Sequence, residues 1–418
     1  MTIYQHFAEL VTVMVKGIFR GKIMEIFEKA AKKCIALQSS INSNTNSYDF
    51  EKSFKKEMIR LEQTVYQEVV GRTDINKNER MKLMTGFGEI VLEKGHPLAV
   101  SPGGFKISAY LQEQMCRSGV KMTFEEASEE LNELLEIETN AKQIERLCHH
   151  YGESLETINW REVYSDGVQL RIPFNQKLYV LMDGSMLLTR DKEQAWKEVK
   201  LCRMFYNTDR VESVSKDRNM IATSRYVAHL GGHETFLDKV LDIIPAGYPP
   251  VFIADGAKWI WNWIEEYYPK STQILDFYHC KEHLYAFAKE YFTEKEALIW
   301  VEDSIDKLKT KRVDILLKEL DELPTRNKSP DKSKNKLLAY LTNNKKRIDY
   351  GKFIQEGLLI GSGAIESANR DVIQKRMKLS GQRWTVQGAI QMLNMRTCYK
   401  SNKQSLVKKL ITDYKNTA

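Results

Sequence analysis

Apolar positions in the front part of the chain recur at helical spacing, and from about Val168 the pattern changes to short continuous apolar runs. Ile23, Phe27, Ala30, Ala31 and Cys34 fall on one face of a predicted helix. After a polar break at 42–47, Met58, Ile59, Leu61, Val65 and Val69 fall on one face of a second. Residues 1–80 therefore read as a helical region, either a dimerisation arm or ordinary helical packing. Short apolar runs and glycines at 81–100 predict small strands or an irregular linker. From 105 to 155 the helical period returns. Thr123 stands before an apolar-periodic run with Glu126 three residues later, the spacing of a capping box. A turn at 138–140 leads to another helix carrying Lys142, Gln143, Arg146, His149 and His150. This pair within 81–165 has the outline of a DNA-binding helix-turn-helix, with Lys142 and Arg146 as contacts; plain helical packing explains it as well.

The run YVLM reaches Asp183-Gly184, where the strand is predicted to end, and 195–205 supplies a second strand. VFIA followed by Asp255-Gly256 and an aromatic-rich helix makes one strand-helix unit. ILDF followed by a helix from about Cys280 makes another. Successive strand-helix units predict an α/β domain with a partly parallel central sheet. Across 284–355 the strands vanish, which predicts a helical insertion. Core pattern returns at 356–400, and 401–418 is a basic tail.

The 418 residues are 42% hydrophobic and 28% charged, a globular composition that excludes a fibrous or disordered chain. No two of the six cysteines stand in a CxxC spacing, which argues against a zinc ribbon. The front segment is broken by His6, Glu9 and Lys16, a poor match to a signal peptide, and no stretch has the length of a membrane span. A reduced, cytoplasmic protein is expected. The net charge of +7 is unevenly spread: nine Lys or Arg lie between Arg326 and Lys352, and ten between Arg370 and Lys409 against Asp371 as the single acid. Such lopsided segments are the expected footprint of a phosphate-backbone surface, with a merely solvated face as the alternative.

Asp183 and Asp255 each follow an apolar strand and precede Gly, which lets a ligand approach closely. Sites form at the carboxyl ends of strands in open α/β sheets, and paired carboxylates there suit Mg²⁺. Glu366, near the start of a helix after Gly361-Ser362-Gly363, is the candidate third acid, although a helix-dipole role alone explains a first-turn Glu. Lys375, Arg376 and Lys378 on the same element would bring phosphates towards it. Asp276, His279, Cys280 and His283 form a second cluster, with His279 and His283 on one helical face. Zinc binding, positioning of the catalytic strand or a phosphate, and a buried pair without chemistry are the three readings of this cluster.

The segments YVLMDG, VFIADGAKWIWNWIEEYYPKSTQILDFYHCKEHL and GSGAIESANRDVIQKRMKLSGQRWTVQGAIQMLNMR resemble the DDE transposases of bacterial insertion sequences. The nearest group is the ISKra4 and ISLre2 type, and mutator-like transposases are more distant. The resemblance covers about 175–400. It implies an α/β ribonuclease H-like catalytic core, formed by 166–283 and 356–400, with the helical insertion between them and the mostly helical region in front. It implies Asp183, Asp255 and Glu366 as catalytic acids and metal ligands for two Mg²⁺ ions (Mn²⁺ as substitute), with Asp276 and His279 in support. It further implies double-stranded DNA as partner, a homo-oligomer of at least two chains to hold two element ends, and a DNA-handling surface that includes Arg376, Gln382, Arg383 and Trp384. A core role for Trp384 is the competing expectation. The chain lacks the cysteine-rich stretch that some members carry in front. Three rivals remain on the residues themselves: a nuclease without strand transfer, a DNA-binding regulator with a decayed core, and a glycosidase. Trp259, Trp261 and Trp263 are spaced to point to different helix faces, which disfavours the sugar cleft a glycosidase needs.

Overall fold

The computed structural model describes residues 20–39, 47–70, 76–94, 96, 98, 102–165, 176–212, 219–245, 249–324 and 328–413. The beginning of the predicted arm, most of the polar break at 42–47, the stretch 168–175 where the pattern changes, and Arg326 lie outside them. The chain divides into two compact units, Met1–Tyr151 with Ser405–Ala418, and Gly152–Gln404.

In the first unit the two amphipathic runs form helices Arg20–Ser39 and Ser47–Val70, which pack on each other. Strands β1 (Arg80–Thr85) and β2 (Gly88–Glu93) pair antiparallel, so the 81–100 region contains small strands. Leu83, Ile90 and Leu92 are their buried face, covered by Tyr66 and Val70 of the second helix. Helices Ala109–Lys121, Phe124–Leu135 and Ala141–Ser154 follow. Thr123 and Glu126 close the expected capping box, which satisfies amide donors that the first turn leaves without partners.

The second unit is built on a five-stranded sheet of order β7-β4-β3-β8-β9. Its members are β3 (Leu178–Leu188), β4 (Trp196–Tyr206), β7 (Arg225–Leu230), β8 (Val251–Ala254) and β9 (Thr272–Leu275). Short strands β5 (Arg210–Glu212) and β6 (Asn219–Ile221) pair separately. β4 runs antiparallel to both of its neighbours, β3 and β7, while β8 is added parallel to β3 and β9 parallel to β8. Helix Lys258–Tyr267 makes the crossover from β8 to β9, and helix Phe277–Tyr291 leaves β9. Every residue of β8 and all of Leu178–Met182 are buried, as expected of strands covered on both faces.

β3 does not end at Asp183 as its apolar run suggested. It continues to Leu188, still paired with β4, although its pairing with β8 stops at Met182↔Ala254. Beyond that point one face is uncovered, and burial alternates instead of being continuous.

After β9 the described chain is helical up to Gln355: Phe277–Tyr291, Glu294–Lys309, Val313–Asp321, Lys328–Asn343 and Tyr350–Gln355. A short helix Gly363–Ala368 then returns to the sheet, followed by a π-helical turn at Asn369–Gln374 and helix Val386–Lys400, which packs along β7. Among the described residues no helix is long and apolar enough to cross a membrane.

Candidate active site

Sheet register brings three aspartates into one row. Met182 pairs with Ala254, and Ala254 pairs with Leu275. Asp183, Asp255 and Asp276 are therefore each the next residue along three neighbouring strand paths. Parallel neighbours lie about 4.8 Å apart, so the row places three carboxylates side by side across the sheet. Burial pushes Asp183 up to about 6, and the nearby charges of Asp255, Asp276 and Glu366 push in the same direction, partly opposed by the Gly184 amide. The four acids thus share one electrostatic neighbourhood.

Glu366 reaches this neighbourhood through three tethers. The first is Asp276, which is buried and caps helix Phe277–Tyr291 by accepting from the amides of Tyr278 and His279. The same carboxylate accepts from the Ser362 amide at 2.8 Å, four residues before Glu366. Next to it the Phe277 amide donates to the Ile360 carbonyl at 2.9 Å. The second tether is Arg203 of β4, whose guanidinium donates to the Ala364 carbonyl at 2.8 Å and to Ser224 Oγ at 2.9 Å. The third is Asn369, whose side-chain amide donates to Asp183 Oδ2. Gly361 permits the close approach: a Cβ there would lie 2.7 Å from the Tyr278 ring. The Glu366 side chain itself is exposed and accepts from Ser362 Oγ at 2.7 Å. Behind it, buried Arg396 donates to the Asp371 and Val372 carbonyls and so holds the π-helical turn that carries Asn369.

Asp255 accepts from the Ala257 amide at 3.0 Å, and its backbone carbonyl takes the Trp261 indole N–H at 2.9 Å. This hydrogen bond explains one of the three closely spaced tryptophans: Trp261 is buried and fixes the turn that presents Asp255. His279 and His283 do share one helical face, their Nε2 atoms 3.3 Å apart. Burial lowers the His283 pKa, as do the nearby His279 and Lys336 charges. Cys280 does not join them; it is fully buried beside Tyr350, and burial pushes its thiol up to about 12. Tyr340 packs on His283 with ring centroids 4.1 Å apart and the ring planes tilted by 34°, and it lies against Gly256.

The basic residues separate into two sets. Lys375, Lys378 and Arg383 are exposed. Lys375 pairs with Asp371 at 2.6 Å, and Lys378 donates to Ser185 Oγ at 2.6 Å, two residues beyond Asp183. Arg376 and Trp384, expected on a DNA-handling surface, are instead inside the fold. Arg376 is 1% exposed and its guanidinium lies over the Trp384 ring, 5.4 Å from the centroid. The Trp384 indole donates to the Met377 carbonyl at 3.0 Å, and its backbone bridges to the end of β3. The physical reason is the edge of β3 that β8 leaves free beyond Met182: the Trp384 backbone pairs with its far end, exchanging hydrogen bonds with Leu188 and Arg190. Trp384→Ala is accordingly expected to cost about 3–5 kcal/mol of stability. Urea unfolding checks it; an unchanged midpoint combined with weakened DNA binding would contradict the core role. In the first unit, Lys142 and Arg146 are exposed, Lys142 pairing with Glu145 at 2.6 Å.

Sequence reasoning missed Arg203, Asn369 and Tyr340. Asn369 was legible within the ESxN pattern as a short polar side chain three residues after the acid. Arg203 and Tyr340 carry no local signal, because their roles depend on partners far away in the chain.

Among the described residues no group of three His, Cys, Asp or Glu is set to grip a metal ion as the side chains stand, each acid being turned to the donors named above. The donor set still fits a hard divalent cation: it consists of carboxylate oxygens, and Asp183 is raised by burial and then by the charges of its acidic neighbours. No protein-family model matches the chain, and no curated protein matches it.

Proposed function

We propose that the chain is a transposase of the DDE kind, cleaving DNA at insertion-sequence ends and transferring the 3′-hydroxyl into target DNA. The observation that carries this reading is the register that puts Asp183, Asp255 and Asp276 in one row, with Glu366 tethered beside it. A ribonuclease H-like core is supported by the sheet, with three antiparallel strands followed by two parallel strands added through a helical crossover.

Asp183, Asp255 and Glu366 would hold Mg²⁺ or Mn²⁺, and a pair of such ions supplies activation of the attacking oxygen and stabilisation of the leaving one. The protein's own part is positioning. Asp276 ties the start of the Glu366 helix to β9, Arg203 ties that helix to β4, and Asn369 orients Asp183. Lys378 holds positive charge next to Asp183, where a scissile phosphate would need it. No protein nucleophile is required, since water and then the DNA 3′-hydroxyl attack in turn.

The test is incubation of the full chain with Mg²⁺ and a supercoiled plasmid carrying the DNA that flanks its gene. Nicks at discrete flanking positions are expected, and joined products from a pre-cleaved end distinguish a transposase from a simple nuclease. Tight binding without any cleavage would favour a DNA-binding regulator with a decayed core.

A further inference from the structure

The basic run 326–352 looks uniform in sequence, but the structure sorts it. Lys334 donates to the Asp321 and Leu323 carbonyls, Lys345 pairs with Asp314, and Arg347 pairs with Glu265 while lying over the Trp261 ring. These side chains hold the helices together. Lys332 and Lys336 are different: both are exposed, and neither has an ion-pair or hydrogen-bond partner among the described residues.

Both line a groove between helices Lys328–Asn343 and Phe277–Tyr291. One wall presents Ser329, Lys332, Ser333 and Lys336. Their spacing of three, four and seven residues places them in one stripe along a helix, so hydroxyl and ammonium donors follow each other along the groove. The other wall offers His283 and Glu290, and Phe287 and Leu337 also line it. Glu290 is the one carboxylate in the lining and forms no ion pair with either lysine. At the His283 end the groove meets the candidate active site: His283 touches His279 and packs against Tyr340, and Tyr340 lies against Gly256, the neighbour of Asp255.

We propose that this groove binds the phosphate backbone of duplex DNA and leads it to the acidic row. The inference rests on the catalytic reading above and adds a binding track to it. Lys332 and Lys336, four residues or about 6 Å apart along the helix, can each meet a phosphate of the same strand, with Ser329 and Ser333 extending the stripe. Serine hydroxyls and lysines suit a backbone without reading its sequence. The unpaired lysines fit an anionic occupant, since each can neutralise a phosphate without first breaking an internal ion pair.

The experiment measures binding of a labelled 30-base-pair duplex of arbitrary sequence across a salt series, in EDTA, with the full-length chain. Lys332→Gln/Lys336→Gln is compared with the wild type and with Lys289→Gln/Lys295→Gln, which removes two exposed lysines outside the groove. The groove variant is expected to melt at the wild-type temperature and to show a salt slope shallower by about two, with the control unchanged. A slope equal to the wild type's, or an equal change in the control, would overturn the proposal. Because EDTA removes cleavage from the readout, the two readings fail separately. Groove-dependent binding with no nicking in Mg²⁺ keeps the groove and sinks the catalytic reading, while nicking with an unaltered slope does the reverse.

Discussion

Asp255→Ala is expected to lower Mg²⁺-dependent nicking by about 10³-fold or more, the scale on which loss of a central catalytic group is felt, while leaving duplex binding in EDTA within about twofold of the wild type. The argument is positional. Asp255 is the central member of the row, between Asp183 and Asp276 on the neighbouring strand paths. Among the described residues its carboxylate accepts one hydrogen bond, from the Ala257 amide, and ties no second element to the turn. Removing it takes a donor from the middle of the site and leaves the tethers of Glu366 in place. Asp276 is the contrasting case. It joins helix Phe277–Tyr291 to the Ser362 turn, so Asp276→Ala should lose activity together with stability, whereas Asp255→Ala should lose activity alone. Parallel nicking assays and thermal melts separate the two.

Asp183→Asn is expected to stabilise the metal-free protein at neutral pH. Burial, reinforced by the neighbouring acids, raises Asp183 from 3.8 to about 6 in the folded chain. A carboxyl with a raised folded pKa favours the folded state while protonated, and that contribution is lost as pH rises. The loss begins above about 4, where the unfolded chain ionises, and is complete above about 6, where the folded chain does so as well. A two-unit shift corresponds to about 3 kcal/mol, and partial solvent access reduces it to about 2 kcal/mol. The neutral amide should therefore raise the melting temperature by several degrees above pH 7, and by nothing at pH 4. Melts of both proteins from pH 4 to 8 in EDTA check this. A variant less stable than the wild type at pH 7.5 would mean that the carboxylate's bonds to Gly184 and Asn369 outweigh the repulsion.

The apolar run VFIA was enough to locate β8, because a strand buried on both faces is continuous in hydrophobicity; β4, which buries Lys200 and Arg203, and β9, which begins with the half-buried Thr272 and Gln273, were legible only in outline. The same cue misled at Asp183. It marks where two-sided burial stops, and β3 outlasts that point by five residues through its pairing with β4. The helix predicted from about Cys280 begins at Phe277, because Asp276 is its cap and the terminal Phe of ILDF already belongs to the helix. Asp183, Asp255 and Glu366 were picked out as candidates from apolar runs and motifs, but the alignment of Asp276 with the two other aspartates required the register of three strands. Charge counting failed for Arg376 and Arg396. An arginine that stacks on Trp384 or feeds two backbone carbonyls looks, in sequence, the same as one facing DNA. The sorting of Lys332 and Lys336 from Lys334, Lys345 and Arg347 was hidden for the same reason, since each partner lies on a different helix or loop.

The claim at the centre of this account is that the acidic row is a divalent-cation site, and the most direct measurement is the number of Mn²⁺ ions bound per chain, read by electron paramagnetic resonance at pH 7.5. The account predicts about two saturable sites in the wild type, with loss of at least one in Asp183→Asn and in Asp255→Ala. Mn²⁺ binding that is absent, or identical in all three proteins, would contradict it.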